Sequence, residues 1–148
     1  MNLIRSSLRL TADGARRLID AAIAHAAAMG VPQCIAVVDE GCNLMAFIRM
    51  DGARVLSIRS AQRKAMTAAT TGRPTGLIDA AIELKLAVAT DGEMVNLRGG
   101  LPIIVEGQVV GGIGVGSGHQ DQDFEVANAG LAAFPHAQTF TLSSQPGA

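Results

Sequence analysis

The chain of 148 residues contains no tryptophan and no tyrosine, and its formal net charge is −1. Stacking on nucleobases depends on aromatic side chains, and attraction to nucleic acid depends on basic charge. No apolar run reaches the length of about eighteen residues that a membrane-spanning helix needs. We therefore expect neither a nucleic-acid partner nor a membrane partner.

Cysteine is also scarce, with Cys34 and Cys42 as the only two. The first falls in a predicted strand and the second in the turn that follows, so a disulfide between them would have poor geometry. The stretch before Leu10 is too short and too polar for a signal peptide. These features predict free thiols and a cytoplasmic location.

Charged residues are few, at 17% of the chain, whereas apolar residues make up 49%. This is an apolar composition for a small protein, and subunit contacts would bury part of the excess. We expect one domain over residues 1–148 that forms a homo-oligomer. Its core would span about 11–134, and the tail at about 141–148 would be flexible.

The spacing of apolar residues, glycines and prolines predicts an α+β fold with a central antiparallel sheet and helices packed on it, in the order α-β-β-α-α-β-β-α. Thr11 is the expected N-cap of the first helix, and Asp51 that of the second. The predicted elements are a helix over residues 11–29, strands over 33–39 and 43–50, helices over 53–70 and 74–86, a hairpin over 99–118 and a helix over about 120–133.

Glycine, in contrast, is abundant, and eight of the seventeen glycines lie in the hairpin of residues 99–118. Glycine weakens a strand unless another backbone or a ligand comes very close. The hairpin is therefore either a floor for a flat or anionic ligand or a surface for close helix packing. The candidate ligand-binding residues are at its two ends: Gly99, Gly100, Gly116, Ser117 and Gly118. A dinucleotide-binding loop is disfavoured because these glycines do not open a long helix after a single parallel strand.

Two histidines are candidates for chemistry. His25 lies beside the apolar stripe of the first helix, where it is either a hydrogen-bonded structural residue or an axial ligand of a haem-like group. His119 follows the hairpin on a loop and is a candidate acid or base, with Asp51 or Asp121 as its partner. His119, Asp121 and Asp123 alternate and could hold a divalent cation, although acidic residues are common in any first helical turn.

Three cations could bind an anionic ligand. Arg49 at the end of a strand and Arg98 just before Gly99 are candidates for carboxylate recognition. Lys64 belongs to a segment, residues 52–78, that has five basic residues and no acidic one. Such a segment is either a solvated helix face, an anion site or a complementary subunit surface.

Several motifs in this order resemble the GlcG/HbpS-like family of haem-binding or haem-degrading proteins, which includes the C-terminal domain of PduO-like proteins. The motifs are Leu18-Ile19-Asp20-Ala21-Ala22, Ala36-Val37-Val38-Asp39-Glu40-Gly41, Phe47-Ile48-Arg49-Met50-Asp51-Gly52-Ala53, Lys64-Ala65-Met66-Thr67-Ala68, Gly72-Arg73-Pro74-Thr75 and the glycine-rich hairpin. The resemblance spans about residues 11–134. It implies an oligomeric domain with a central antiparallel sheet, and haem as a possible cofactor.

The resemblance also implies roles for individual residues. His25 falls where relatives can carry a histidine in the first helix, so it becomes the expected ligand of the haem iron. Arg49, Lys64 or Arg98 would neutralise the propionates. The alternative hypothesis is a small enzyme of a catabolic pathway that acts on a carboxylate substrate by proton transfer, hydration or hydrolysis. There Arg49 or Arg98 would hold the substrate, and His119 with Asp51 or Asp121 would supply acid and base.

Overall fold

A computed structural model describes residues 2–142 of the chain. Its sheet has four strands in the order β2-β1-β4-β3, and every neighbouring pair is antiparallel. The predicted fold class and element order are confirmed. The elements are α1 (Ala12–Met29), β1 (Cys34–Asp39), β2 (Leu44–Arg49), α2 (Ser57–Thr71), α3 (Glu83–Ala89), β3 (Gly100–Val105), β4 (Gln108–Gly116) and α4 (Gln120–Ala132).

The sheet separates two layers of helices. On one face α1 and α4 cover the larger core, in which Leu18, Ile113 and Leu131 are fully buried. On the other face α2 packs through Ala61 and Ala65. Side chains alternate between the faces along a strand, so the nearly continuous apolar run of β1 is explained by burial on both sides.

β2 is more exposed than β1, although its sequence is also rich in apolar residues. Leu44 and Ile48 are 51% and 37% exposed. The reason is that β2 is an edge strand, with only β1 beside it among the strands of residues 2–142.

Two helix boundaries also differ from the predictions. The second helix begins at Ser57, its N-cap is Leu56, and no side chain caps it. Asp51 therefore does not cap this helix but lies in an exposed turn before it. The Ser117 hydroxyl accepts a hydrogen bond from the Arg54 backbone N–H at 2.9 Å, which holds this entry segment against the end of β4 instead.

The predicted helix over residues 74–86 is reduced to Glu83–Ala89. The Asn96 side chain accepts from the Ile78 N–H at 3.0 Å and donates to the Ile78 carbonyl at 2.9 Å, so these backbone groups have partners outside a helix. Gly76 has a φ of +90°, and a Cβ there would lie 3.2 Å from the Arg98 backbone nitrogen. Contact with the chain near Arg98 thus replaces the first part of the expected helix.

The glycines of β4 explain how α2 meets the sheet. A Cβ on Gly112 would lie 2.2 Å from the Ala65 carbonyl oxygen, and one on Gly114 would lie 2.0 Å from the Ala61 carbonyl oxygen. These distances are too short for any side chain, so the backbone of α2 rests on the backbone of β4. This contact favours close packing of elements as the explanation of the glycine-rich strand.

The two edges of the sheet differ. The outer edge of β3 has Pro102, which lacks an N–H, at its middle. At one end of β3 the Thr75 N–H donates to the Gly100 carbonyl at 2.9 Å, and at the other the Gln138 N–H donates to the Ile104 carbonyl at 2.9 Å. Among residues 2–142, no segment pairs with the outer edge of β2.

Three further expectations concern the whole chain. Both cysteines are free thiols, and the register places Cys34 opposite Arg49 rather than near Cys42. No helix within residues 2–142 combines the length and the apolar character that crossing a membrane requires. The flexible tail expected at about 141–148 lies almost wholly outside the described residues.

Candidate functional site

Both ends of the glycine-rich hairpin meet at one end of the sheet. Because β3 and β4 are antiparallel, the beginning of β3 and the end of β4 are neighbours, with Gly100 paired to Gly114. The beginning of β1 and the end of β2 lie at the same end of the sheet, since Cys34 pairs with both Gly116 and Arg49. The structure therefore brings the candidate residues from four strands to one end of the sheet.

Arg98, His119 and Asp121 lie at the rim of an open hollow of about 540 Å³, together with Gly118 and Gln120. Arg98 Nη1 forms an ion pair with Asp121, and its side chain is 20% exposed. The Arg98 backbone N–H donates to Gln120 Oε1 at 3.2 Å. His119 is exposed and precedes α4, and its own N–H donates to Gln122 Oε1 at 2.9 Å. The structure thus places His119, Asp121 and Arg98 around the same hollow.

The cation hypothesis for His119, Asp121 and Asp123 is not supported by the side-chain directions. Asp123 is 2% exposed and points inward, while Asp121 is paired with Arg98 at the surface. No group of three metal-ligating side chains occurs in the described part of the chain.

Lys64 lies in the interior rather than at a ligand-accessible surface. It is 4% exposed, and its ammonium is 2.9 Å from Asp123 Oδ2 and 2.9 Å from the Val115 carbonyl oxygen. The other carboxylate oxygen of Asp123 accepts the Gly118 N–H at 3.0 Å. Burial raises the pKa of Asp123 above its ordinary value, and the neighbouring Lys64 ammonium opposes that effect.

The hairpin-end glycines surround this buried pair. A Cβ on Gly99 would lie 3.1 Å from Lys64 Nζ and 2.8 Å from Asp123 Cβ, and one on Gly100 would lie 2.3 Å from the Lys64 carbonyl oxygen. A Cβ on Gly116 would lie 3.0 Å from the Ser60 hydroxyl on α2. Gly99, Gly100 and Gly116 therefore face other parts of the chain, whereas Gly118 also lines the open hollow.

Gln33, which precedes β1, lies beside the buried Lys64–Asp123 pair. Nothing in the sequence indicated that it belongs there. It is fully buried, and neither atom of its side-chain amide has a hydrogen-bond partner within residues 2–142. Its Nε2 lies 2.6 Å from the position that a Cβ on Gly118 would occupy. The same amide lies close enough to the Asp123 carboxylate to lower the pKa of that group, against the larger effect of burial.

Ala26 and Met50, the residues that follow His25 and Arg49 in the chain, line a second hollow. His25 is on α1, its ring is 39% exposed, and Nε2 is 3.8 Å from Glu125 Oε1, which is too long for a hydrogen bond. That nitrogen has no hydrogen-bond partner in the described part of the chain. The next residue, Ala26, lines an apolar hollow of about 360 Å³ that Met50 and Asp51 close on the other side. Arg49 precedes Met50, is exposed, and forms no ion pair within residues 2–142.

A signal for the buried pair was present in the sequence. Lys64 lies three residues after Ala61 and four before Ala68, on the apolar side of its helix. A buried ammonium requires a partner of opposite charge. The sequence did not say which acidic residue that would be, because Asp123 is fifty-nine residues away.

Together, the four-stranded antiparallel sheet, with two helices on one face and a third seated on glycines on the other, defines a small α+β domain. The chain belongs to the HbpS-like family, described as haem degrading protein HbpS-like, whose family model matches residues 10–132.

Individual relatives agree with this membership. A 15.0 kDa protein from the dhaT-dhaS intergenic region of Citrobacter freundii is 32% identical over 139 residues, which are 90% of this chain and 98% of that protein. A double mutant of HbpS from Streptomyces reticuli has a similar crystal structure, with a TM-score of 0.80, 33% identity, and coverage of 90% of this chain and 92% of that one. The crystal structure of a PduOC–haem complex is also similar, with a TM-score of 0.81 and 25% identity. The match covers 90% of this chain and 100% of that one.

Proposed function

We propose that this protein binds haem or a related tetrapyrrole, with His25 as the axial ligand of the iron. The observation that carries the proposal is the Nε2 atom of His25, which is buried and has no hydrogen-bond partner within residues 2–142, although the ring as a whole is 39% exposed. An imidazole nitrogen is a common axial ligand of haem iron, and it must be free of other bonds to serve. The haem complex of the related PduOC and the family description support the same ligand class.

The residues around His25 fit such a group. The hollow that Ala26 lines has mainly apolar walls, among them Val31, Pro32 and Met50, which suit the face of a macrocycle. Arg49, at the end of β2, is an exposed cation that could pair with a propionate. Arg98 is already neutralised by Asp121, and Lys64 is buried against Asp123, so Arg49 is favoured over both. When bound, haem would supply an iron centre whose reactivity the surrounding polarity adjusts.

Titration of the purified protein with haemin tests the proposal. We expect a saturable shift of the Soret band in the wild-type protein and its loss or strong weakening in His25→Ala. His119→Ala is the matched control, because it removes an exposed histidine at a different hollow and should leave the Soret shift intact. An absent shift, or an unchanged one in His25→Ala, would refute the assignment.

A second candidate function has its own supporting observation, which is that Arg98, His119 and Asp121 line one open hollow. It is the binding of a small carboxylate substrate, with His119 and Asp121 as acid and base. The ion pair between Arg98 and Asp121 would have to open for Arg98 to bind the carboxylate. Thermal stabilisation of the wild-type protein by a panel of small carboxylates, absent in Arg98→Ala, would favour it over haem binding.

A further inference from the structure

The buried ion pair of Lys64 and Asp123 connects the two helical layers of the protein. Lys64 belongs to α2, which covers one face of the sheet, and Asp123 belongs to α4, which covers the opposite face. The two side chains meet at the end of the sheet, where the Nζ–Oδ2 distance is 2.9 Å.

The side chains of Lys64 and Asp123 meet in a space that exists because Gly99 has no side chain. Gly99 has a φ of +124°, and a Cβ there would lie within 3.1 Å of Lys64 Nζ, Asp123 Cβ and the Val115 carbonyl oxygen. A side chain at this position would occupy the space that the ammonium and the carboxylate share. The glycine before β3 thus has a role in forming the pair.

The pair also reaches the surface through hydrogen bonds. Asp123 Oδ1 accepts the Gly118 N–H at 3.0 Å, and the Asp123 N–H donates to the His119 carbonyl at 2.9 Å. We call residues 117–119 the corner. It leads from β4 into α4 and places His119 at the rim of the hollow beside Arg98.

We propose that Lys64 and Asp123 are positioning residues that hold the corner, and with it His119, at a fixed place relative to the sheet. They do so from the inside, because both are nearly inaccessible to solvent. A merely stabilising role is a poor explanation of a buried pair, since well-packed apolar side chains of similar volume often stabilise a protein equally well or better. The proposal concerns the hollow beside Arg98 and does not depend on haem binding at His25.

The variant that tests this role is Lys64→Met/Asp123→Leu, which removes both charges together. Removal of Lys64 alone would leave an uncompensated buried carboxylate and would threaten the whole fold. The double variant avoids that cost but deprives the Gly118 N–H of its acceptor. Native-state amide hydrogen exchange followed by NMR then separates local from global effects.

We expect the Gly118 and Asp123 amides of the double variant to exchange faster by about tenfold or more, as loss of a buried hydrogen bond predicts. The Val37 amide, at the centre of the sheet, should keep its protection. Asp121→Asn is the matched control, because it removes the neighbouring surface ion pair with Arg98 and leaves the buried pair intact. In that variant the exchange of the Gly118 amide should stay close to wild type.

Two results would overturn the proposal. One is unchanged exchange at the corner in the double variant, and the other is an equal loss of protection at Val37 and Gly118. If the leucine variant does not fold, Lys64→Met/Asp123→Ala removes the same charges and the same acceptor of the Gly118 N–H with a smaller side chain. The proposal then requires faster exchange at the Gly118 and Asp123 amides of this variant too, and wild-type exchange there would refute it.

Discussion

Replacement of Gly114 by alanine should destabilise the protein strongly, because two backbones meet at this position. A Cβ on Gly114 would lie 2.0 Å from the Ala61 carbonyl oxygen and 2.4 Å from the Ala65 nitrogen. To restore the 3.4 Å of ordinary contact from 2.0 Å, α2 would have to retreat by roughly 1.4 Å. Neither contact atom belongs to a side chain, so no rotamer change can relieve the overlap.

The expected loss of unfolding free energy follows from that geometry. Over-packing of a core costs about 1–3 kcal/mol and occasionally more, and the lack of any flexible group places Gly114→Ala at about 3 kcal/mol or above. The gain of roughly 0.4–1 kcal/mol from restricting the unfolded chain is too small to offset this loss. A domain is stable by about 5–15 kcal/mol in total, so the variant would lose a substantial fraction of its stability.

Urea unfolding at one fixed protein concentration measures the effect as a lower midpoint with an unchanged slope. Gly116→Ala should cost less, since its Cβ would meet a serine hydroxyl at 3.0 Å that can turn away. Gly41→Ala is the control, because that residue is exposed and its Cβ would face only the Asn43 and Asp39 side chains. The reasoning fails if Gly114→Ala stays within about 0.5 kcal/mol of wild type or is more stable than Gly116→Ala.

Two further predictions concern acid stability and self-association. The Asp39 carboxylate, despite partial burial that acts in the opposite direction, has a lowered pKa because the Asn43 and Gly41 N–H groups donate to it. A lowered pKa stabilises the folded state above the ordinary value of 3.8 and ceases to do so as the pH falls through the folded-state value. The stability difference between wild type and Asp39→Asn in urea should therefore be largest near neutral pH and shrink on acidification, and a difference that grows would contradict this assignment. We also expect the protein to self-associate through α3, where Leu84 and Val88 are each 77% exposed one helical turn apart. Light scattering should give a lower mass for Leu84→Glu/Val88→Glu than for wild type, and a wild-type protein that is monomeric at all concentrations would refute the expectation.

The parts of the fold that local physics determines could be predicted from the sequence. Thr11 caps α1 through the Gly14 N–H at 3.0 Å, and Gly30 ends the helix with a φ of 72°, as their residue types indicate. The shortened α3 could not be predicted in the same way, because Asn96, eighteen residues along the chain, supplies partners to Ile78.

In the candidate site, too, some features follow from the local sequence and others depend on tertiary contacts. Proximity of the two hairpin ends follows from antiparallel pairing, so the grouping of Arg98 with His119 was accessible from the sequence. The spacing of Lys64 from Ala61 and Ala68 indicated a position on the apolar side of its helix, but the sequence could not identify the carboxylate that neutralises it. Only the tertiary contact identifies Asp123, fifty-nine residues away, as that partner.

The two edges of the sheet differ in whether a further strand can pair with them. At β3, a proline and two flanking segments already use or remove the outward-facing backbone groups. At β2, the outward N–H and C=O groups have no strand beside them within residues 2–142, and Leu44 and Ile48 lie exposed on that strand. Within residues 2–142 the edge without a proline or a flanking segment is that of β2, so an extended segment from a peptide or from another copy of the chain would lengthen the sheet beside β2.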